Sequence, residues 1–239
     1  CIVSRNGDLI YDAHLEVHFD KISFSEENID FVVDTGHAYL KSIGLLIGGQ
    51  LIDKQNSQWM NIKTTLKDKM DSKGDMLNSD MGTSTPITST TSLALDLFIP
   101  LEFWFCRKPG SSLPIIGLQY HEVEFDFEFR GFYELLNTTS SYTFTTPPTE
   151  VITTKFFVDY IFLDTEERRR FAQTPQEYLI EQVQYQSNSI EDINEMFFSN
   201  PVKELIWICQ DKRANIENPN TSGFVCDRFT DVEVPVKTD

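Results

Sequence analysis

The stretch Glu122-Val123-Glu124-Phe125-Asp126-Phe127-Glu128-Phe129-Arg130 alternates without a break. Val123, Phe125, Phe127 and Phe129 share one parity; Glu122, Glu124, Asp126, Glu128 and Arg130 share the other. Successive side chains of an extended chain point to opposite faces, so the segment reads as a half-buried β-strand. The same period runs from Leu9 to Asp20, where Leu9, Tyr11, Ala13, Leu15, Val17 and Phe19 are apolar and the even positions from Asp12 onward are polar. It returns from Leu93 to Phe105 at every odd position. Pro100 cannot donate to a ladder, which predicts two strands there, or one with a break. Phe156 to Leu163 is apolar at both parities and predicts a strand covered on both sides. Val202 to Gln210, with Leu205 to Ile208 at its centre and Asn200-Pro201 as a turn before it, reads the same way. Gly48-Gly49 predicts a tight turn joining Lys41–Ile47 to Gln50–Asp53.

Helix signals are few. Gln55 to Leu66 carries Trp59, Ile62 and Leu66 at helical spacing. Asp164 to Ala172 is better marked: Asp164 can cap the first free N–H groups, Glu167 follows at capping-box spacing, and Pro175 ends the helix. Lys67–Ser92 and Gly131–Thr154 are rich in Ser and Thr and read as long surface loops. Many strands with one apolar face each bury themselves best as stacked sheets, so the fold class is all-β. Long connections in place of two-residue turns favour Greek-key or jelly-roll wiring. The helix at Asp164–Ala172 then stands as a joint between two β units.

The 239 residues allow one or two domains, and 40% apolar with 13% aromatic residues is a globular composition. The longest apolar stretch, Ser42 to Ile52, is far short of the ~20 residues that span a bilayer. The chain opens on Cys1 and reads as strand from its first residues, so a fragment or a processed start is expected. Twenty Lys plus Arg against thirty-seven Asp plus Glu give a net charge of −17. Such a surface repels phosphates, which argues against direct contact with nucleic acid. Cys1, Cys106, Cys209 and Cys226 form no C-x-x-C pair and fit no zinc spacing, so four reduced, mostly buried thiols of an intracellular protein are expected.

Glu124, Asp126 and Glu128 form an E-x-D-x-E row that resembles the catalytic strand of laminarinase-type glucanases. A retaining glycosidase needs two carboxyls ~5–5.5 Å apart. On a regular strand i and i+2 are ~7 Å apart, and the phenylalanines here occupy the opposite face. A solvated strand face is the plainer reading, with a β-sandwich carbohydrate-active enzyme or lectin as the rival. His14 and His18 lie ~13 Å apart if extended, too far to share a metal. His37 and His121 are isolated, and read as structural or exposed. Gly44-x-x-x-Gly48-Gly49 lacks the Lys-Ser/Thr of a phosphate loop. Asn137 and Asn220 begin N-x-S/T sequons, with Asn137 in an expected loop. No catalytic, metal or cofactor-binding residue is assigned.

Six segments taken in order carry a resemblance: Ser4–Ile10, Gly36–Asp53, Ile99–Arg107, Leu113–Val123, Asp159–Gln173 and Pro201–Trp207. Together they resemble the major capsid proteins of nucleocytoplasmic large DNA viruses, the group of iridoviruses, algal viruses and giant amoebal viruses. The resemblance implies a viral double jelly roll. Residues 1–173 would be the first jelly roll, lacking its N-terminal strand and ending in a linker helix. Residues 174–239 would begin a second, truncated jelly roll, whose open edge is expected to make a chain of this extent poorly soluble. It further implies a late structural protein that forms a homotrimer, the pseudo-hexagonal capsomer of an icosahedral shell. Its partners would be neighbouring capsomers and minor capsid proteins, close to an inner virion membrane, with assembly in the host cytoplasm. The two long loops would crown the trimer as outer towers. The acidic balance would make packing between subunits sensitive to salt.

Overall fold

Antiparallel pairing of β3 (Leu40–Ile47) with both β4 (Gln50–Asn56) and β6 (Val123–Phe129) builds one three-stranded sheet. The second sheet places β1 (Leu9–Ile22) between β5 (Leu93–Pro100) and β8 (Ile152–Ile161), again antiparallel. A short pair joins β2 (Ile29–Phe31) to β7 (Leu136–Thr138). These assignments come from a computed structural model that describes residues 1–22, 29–31, 35–70, 93–138, 152–175, 177–187 and 195–208. Helices are α1 (Thr35–Tyr39), α2 (Ser57–Met70) and α3 (Thr165–Gln173).

The predicted alternation decides which faces meet. Ala13, Leu15, Val17 and Phe19 of β1 are all buried. Leu97 and Ile99 come in beside them from β5, and Ile43, Leu45, Val123 and Phe125 supply the facing sheet. Phe125 of one sheet meets Phe156 of the other at 5.0 Å between ring centroids, and Phe103 packs edge-on against Phe125 at 5.7 Å. Each such ring removed from water contributes roughly 1.5–3 kcal/mol. Tyr11, expected inward, is only half-buried, whereas Ile10 is buried. The register against β8 shifts between Ile10 and Asp12, and a bulge there swaps which parity faces the core.

Pro100 closes β5 opposite His14, on the outer strand of its sheet, where a missing N–H costs least. The chain does not resume as a strand. Leu101 hydrogen-bonds back to Ala13, and Trp104–Cys106 then forms a 3-10 turn that drops Phe103 and Phe105 into the core. Gly48 and Gly49 make the expected β3–β4 turn, with φ of +61° and +78°.

Four further expectations need correction. β8 is not covered on both faces: among the described residues it is an outer strand, and Thr153, Lys155, Phe157 and Asp159 are exposed along one side. Residues 202–208 form no strand, and Leu205, Trp207 and Ile208 lie exposed. Apolar content alone does not make a strand; a ladder partner is needed, and none lies beside this segment among the described residues. The segment read as a loop from Gly131 instead folds at Phe132–Leu135 into a 3-10 turn and then into β7, which places Asn137 opposite Asp30 in a strand pair. Lys67–Met70 likewise belongs to α2, while 71–92, 139–150 and Val151 lie outside the described residues.

The helix expected at Gln55–Leu66 is present as α2 but begins at Ser57, since Gln55 and Asn56 close β4; the Asn56 side chain starts it by accepting the Trp59 N–H at 2.8 Å. Its buried side is Ser57, Met60 and Thr64, so Leu66 is exposed. Asp164 caps α3 as expected, its carboxylate accepting the Thr165 N–H at 2.6 Å. α3 is fixed to β1 by Asp8, which is buried between the Leu163 N–H and the Arg168 guanidinium, each at 2.8 Å.

Candidate functional site

The carboxylate row on β6 is assembled as an ordinary outward sheet face. Glu128 accepts from Lys41 Nζ at 2.5 Å and from Ser42 Oγ at 2.9 Å, both on the neighbouring strand β3. The Lys41 ammonium and the Ser42 hydroxyl hold the Glu128 carboxyl below the usual carboxylate range. Asp126 is exposed opposite Gly44, and Glu124 is bridged at its backbone to Ile2. Among the described residues no aromatic platform accompanies the row, because Phe125 and Phe127 turn toward the core, where Phe125 meets Phe156 at a tilt and Phe127 meets it edge-on. A general acid wants a desolvated carboxyl whose pKa is raised; Glu128 is solvated and shifted the other way.

The histidines are placed separately. His14 sits between Phe98 and Phe157, with ring centroids at 4.3 and 5.3 Å, and forms part of an aromatic row across β5, β1 and β8. His18 hydrogen-bonds Asp96 through Nδ1 and Asp20 through Nε2, the latter at 3.1 Å. The Asp96 hydrogen bond raises the His18 pKa, against an opposing effect of desolvation. His37 is buried in α1; His121 is exposed, with its ring against the Gly48 turn. Among the described residues no group of three or more His, Cys, Asp or Glu is arranged to hold a metal.

Cys106 is half-buried, and burial, aided by the nearby Asp12 charge, pushes its thiol well above the ordinary range. That is the opposite of an activated nucleophile. Cys1, one of the four thiols expected to be mostly buried, is exposed. Its amino group donates to the Phe125 carbonyl at 2.6 Å, and Val3 N–H donates to the Val123 carbonyl, so the first residues lie along the outer edge of β6. Cys209, Cys226 and Asn220 fall outside the described residues.

Sequence reasoning missed a polar cluster on the other edge of this sheet. Asp53 and Gln55 of β4 point inward and are almost fully buried. Gln55 Nε2 donates to Asp53 Oδ2 at 3.0 Å and to the Glu102 carbonyl at 3.2 Å. Asp53 Oδ1 accepts the Val183 N–H at 2.8 Å. Burial raises the Asp53 pKa, although the Val183 and Gln55 donors act against it. Beside it Arg107 pairs with Glu181. Nothing in the short strand Gln50–Asn56 advertises these roles, because the partners come from far along the chain. Arg130, expected to face water, reaches inward instead and donates to the Ala38 carbonyl at 2.7 Å and to Ser57 Oγ at 3.1 Å, clamping β6 to α1 and α2.

Glu128 and His18 fasten strand to strand, Asp53 and Arg107 fasten the sandwich to the segment after α3, and Arg130 ties β6 to the helices, all around an aromatic core. An aromatic-cored sandwich of antiparallel sheets is an all-β fold, and the solved structures it superposes on are of the viral double jelly-roll class. A solved PBCV-1 virus capsid superposes with a TM-score of 0.61 at 33% identity, over 76% of this chain and 42% of that one. A Faustovirus major capsid protein shares the fold with a TM-score of 0.51 at 10% identity, over 71% of this chain and 52% of that one. The family model described as the major capsid protein N-terminus matches residues 1–164, and the chain belongs to that family. Its relatives include the major capsid protein of Pyramimonas orientalis virus, 38% identical over 87% of this chain and 51% of the relative. The major capsid protein of Paramecium bursaria Chlorella virus 1 is 34% identical over 86% of this chain and 47% of the relative. The chain thus spans about half the length of the curated relatives it matches.

Proposed function

We propose that this chain is part of a structural subunit of a large DNA virus shell: three copies form a pseudo-hexagonal capsomer, and capsomers tile an icosahedral capsid. The family match over residues 1–164 carries the reading. The aromatic sandwich supports it, because a shell unit needs a stiff core and exposed faces for lateral contact. In this reading residues 1–173 are the first jelly roll with its linker helix, and 174–239 begin the second. The role is non-enzymatic, and Glu124, Asp126 and Glu128 serve as a solvated face of the wall. The partners are further copies of the chain and minor capsid proteins. The acidic surface, at a net charge of −17, keeps the unit from direct contact with the genome. Assembly takes place in the host cytoplasm, and the product resides in the virion. Asn137 and Asn220 are proposed glycosylation positions, and the parts of Lys67–Ser92 and Gly131–Thr154 that lie outside α2, β7 and β8 are the proposed outer towers.

The test is the mass in solution of the full-length protein, measured across a salt series. A trimer whose stability changes with ionic strength is expected; a monomer at every salt concentration overturns the proposal. A glucan hydrolysis assay decides the rival: activity lost in Glu124→Gln would make the chain an enzyme.

A further inference from the structure

Glu181 and Gln182 are adjacent, and each reaches in two directions. Glu181 pairs with Arg107 of the sandwich through one carboxylate oxygen and with Lys203 through the other. Gln182 donates through Nε2 to the Ile52 carbonyl of β4 at 2.5 Å, and accepts from Asn200 Nδ2 at 3.0 Å through Oε1. Val183, next in line, gives its N–H to the buried Asp53. The glutamines continue the pattern. Gln184 accepts the Ser199 N–H at 3.0 Å, and Gln186 accepts the Phe197 N–H at 3.1 Å while donating to the Phe197 carbonyl. Side chains at 182, 184 and 186 therefore satisfy the 197–200 segment much as a neighbouring strand would.

We infer that Asp53 and Arg107 form an internal docking seat on the sandwich, and that Glu181 and Gln182 are the coupling through which it positions residues 195–208. The inference rests on the reading of 174–239 as the start of a second unit, and it names what orients that unit. The α3 helix alone would not do so. α3 is anchored at Asp8, on the β5–β1–β8 sheet, whereas the seat lies at the β4 edge of the opposite sheet. Residues 174–180 cross between the two anchors with the described side chains exposed. Two fixed points on different sheets define a direction; one helix cap leaves the chain free to swing.

Glu181 is held ionised for this work. The Lys203 ammonium, followed by the Arg107 guanidinium, lowers its pKa against the effect of burial. The coupling is thus part ionic and part neutral. The ionic half weakens in about 1 M salt, where the Debye length falls to roughly 3 Å, and the glutamine half persists.

Hydrogen exchange on the chain tests the inference. In the double variant Glu181→Gln with Gln182→Ala, exchange at the Val183, Phe197 and Ser199 amides is expected to accelerate roughly tenfold or more, with Leu15 and Val17 of β1 unchanged. Unchanged rates at those three amides overturn it. Should the double variant lose protection everywhere, Lys203→Gln decides. That variant removes only the outer ion pair, and should speed exchange at Phe197 and Ser199 about threefold while Val183 stays slow; no change at Phe197 and Ser199 refutes the coupling. Failure of the full-length protein to form trimers would defeat the assembly reading but leave these exchange results untouched, so the two can fail separately.

Discussion

Asp8 and Arg168 meet at 2.8 Å, and this contact joins the start of β1 to the helix that follows β8. Asp8 is only 7% exposed and also accepts the Leu163 N–H. Replacing it by Ala leaves that N–H unsatisfied and Arg168 unpaired. A loss of about 1–3 kcal/mol is expected for Asp8→Ala. Arg168→Met should cost less, below about 1 kcal/mol, because the guanidinium is half-exposed. Urea denaturation of the two variants checks the order.

The same carboxylate contributes to acid sensitivity. Burial works to raise the Asp8 pKa, but the Leu163 N–H and the Arg168 guanidinium outweigh it and hold the value below the ordinary 3.8. The stabilisation is therefore present above that ordinary value and is lost as pH falls through the lower folded one. Denaturation midpoints measured between about pH 5 and pH 2 should fall less steeply in Asp8→Asn than in the parent.

His18 gives the opposite sign. Its hydrogen bond to Asp96 raises its pKa above the ordinary 6.5. Its contribution is complete below that value and is lost as pH climbs through the higher folded one. Stability of the parent relative to His18→Gln should shrink between about pH 6 and pH 9. A constant difference across that range would show that the pair does not titrate with folding.

The phenylalanine at 125 is fully buried at the meeting of the two sheets. Phe125→Ala should cost about 3–5 kcal/mol, from lost transfer energy and the cavity left behind. Asp126→Asn, one residue on and exposed, should stay within about 0.5 kcal/mol. Parallel denaturant unfolding of the two variants measures the contrast.

At the β3–β4 turn, a Cβ on Gly48 would lie 2.6 Å from His121 Nδ1, while one on Gly49 meets nothing within 4 Å. Both glycines have positive φ, which costs another residue about 1–2 kcal/mol. Gly48→Ala should therefore destabilise more than Gly49→Ala. Adding His121→Ala should bring the two to similar thermal midpoints.

The backbone period of two settles much of this protein without reference to any tertiary contact. Val123–Phe129, Ala13–Phe19 and the Gly48-Gly49 turn are local matters: strand geometry sends alternate side chains to opposite faces, and φ above zero selects glycine. Asp164 at the start of α3 is equally local. The fold class and the outward placing of Glu124, Asp126 and Glu128 follow from the same rule.

Only the tertiary structure decided the rest. Tyr11 lost its inward place to a bulge, which depends on registry with a strand about 150 residues away. Val202–Ile208 has the composition of a strand but no ladder partner beside it among the described residues, and Val202, Leu205, Trp207 and Ile208 stay exposed. Asp53 looks like one more surface carboxylate until Val183 arrives to satisfy it. A side chain's parity is fixed by its own backbone, but its partner is fixed by where distant segments come to rest, and no local pattern encodes that meeting.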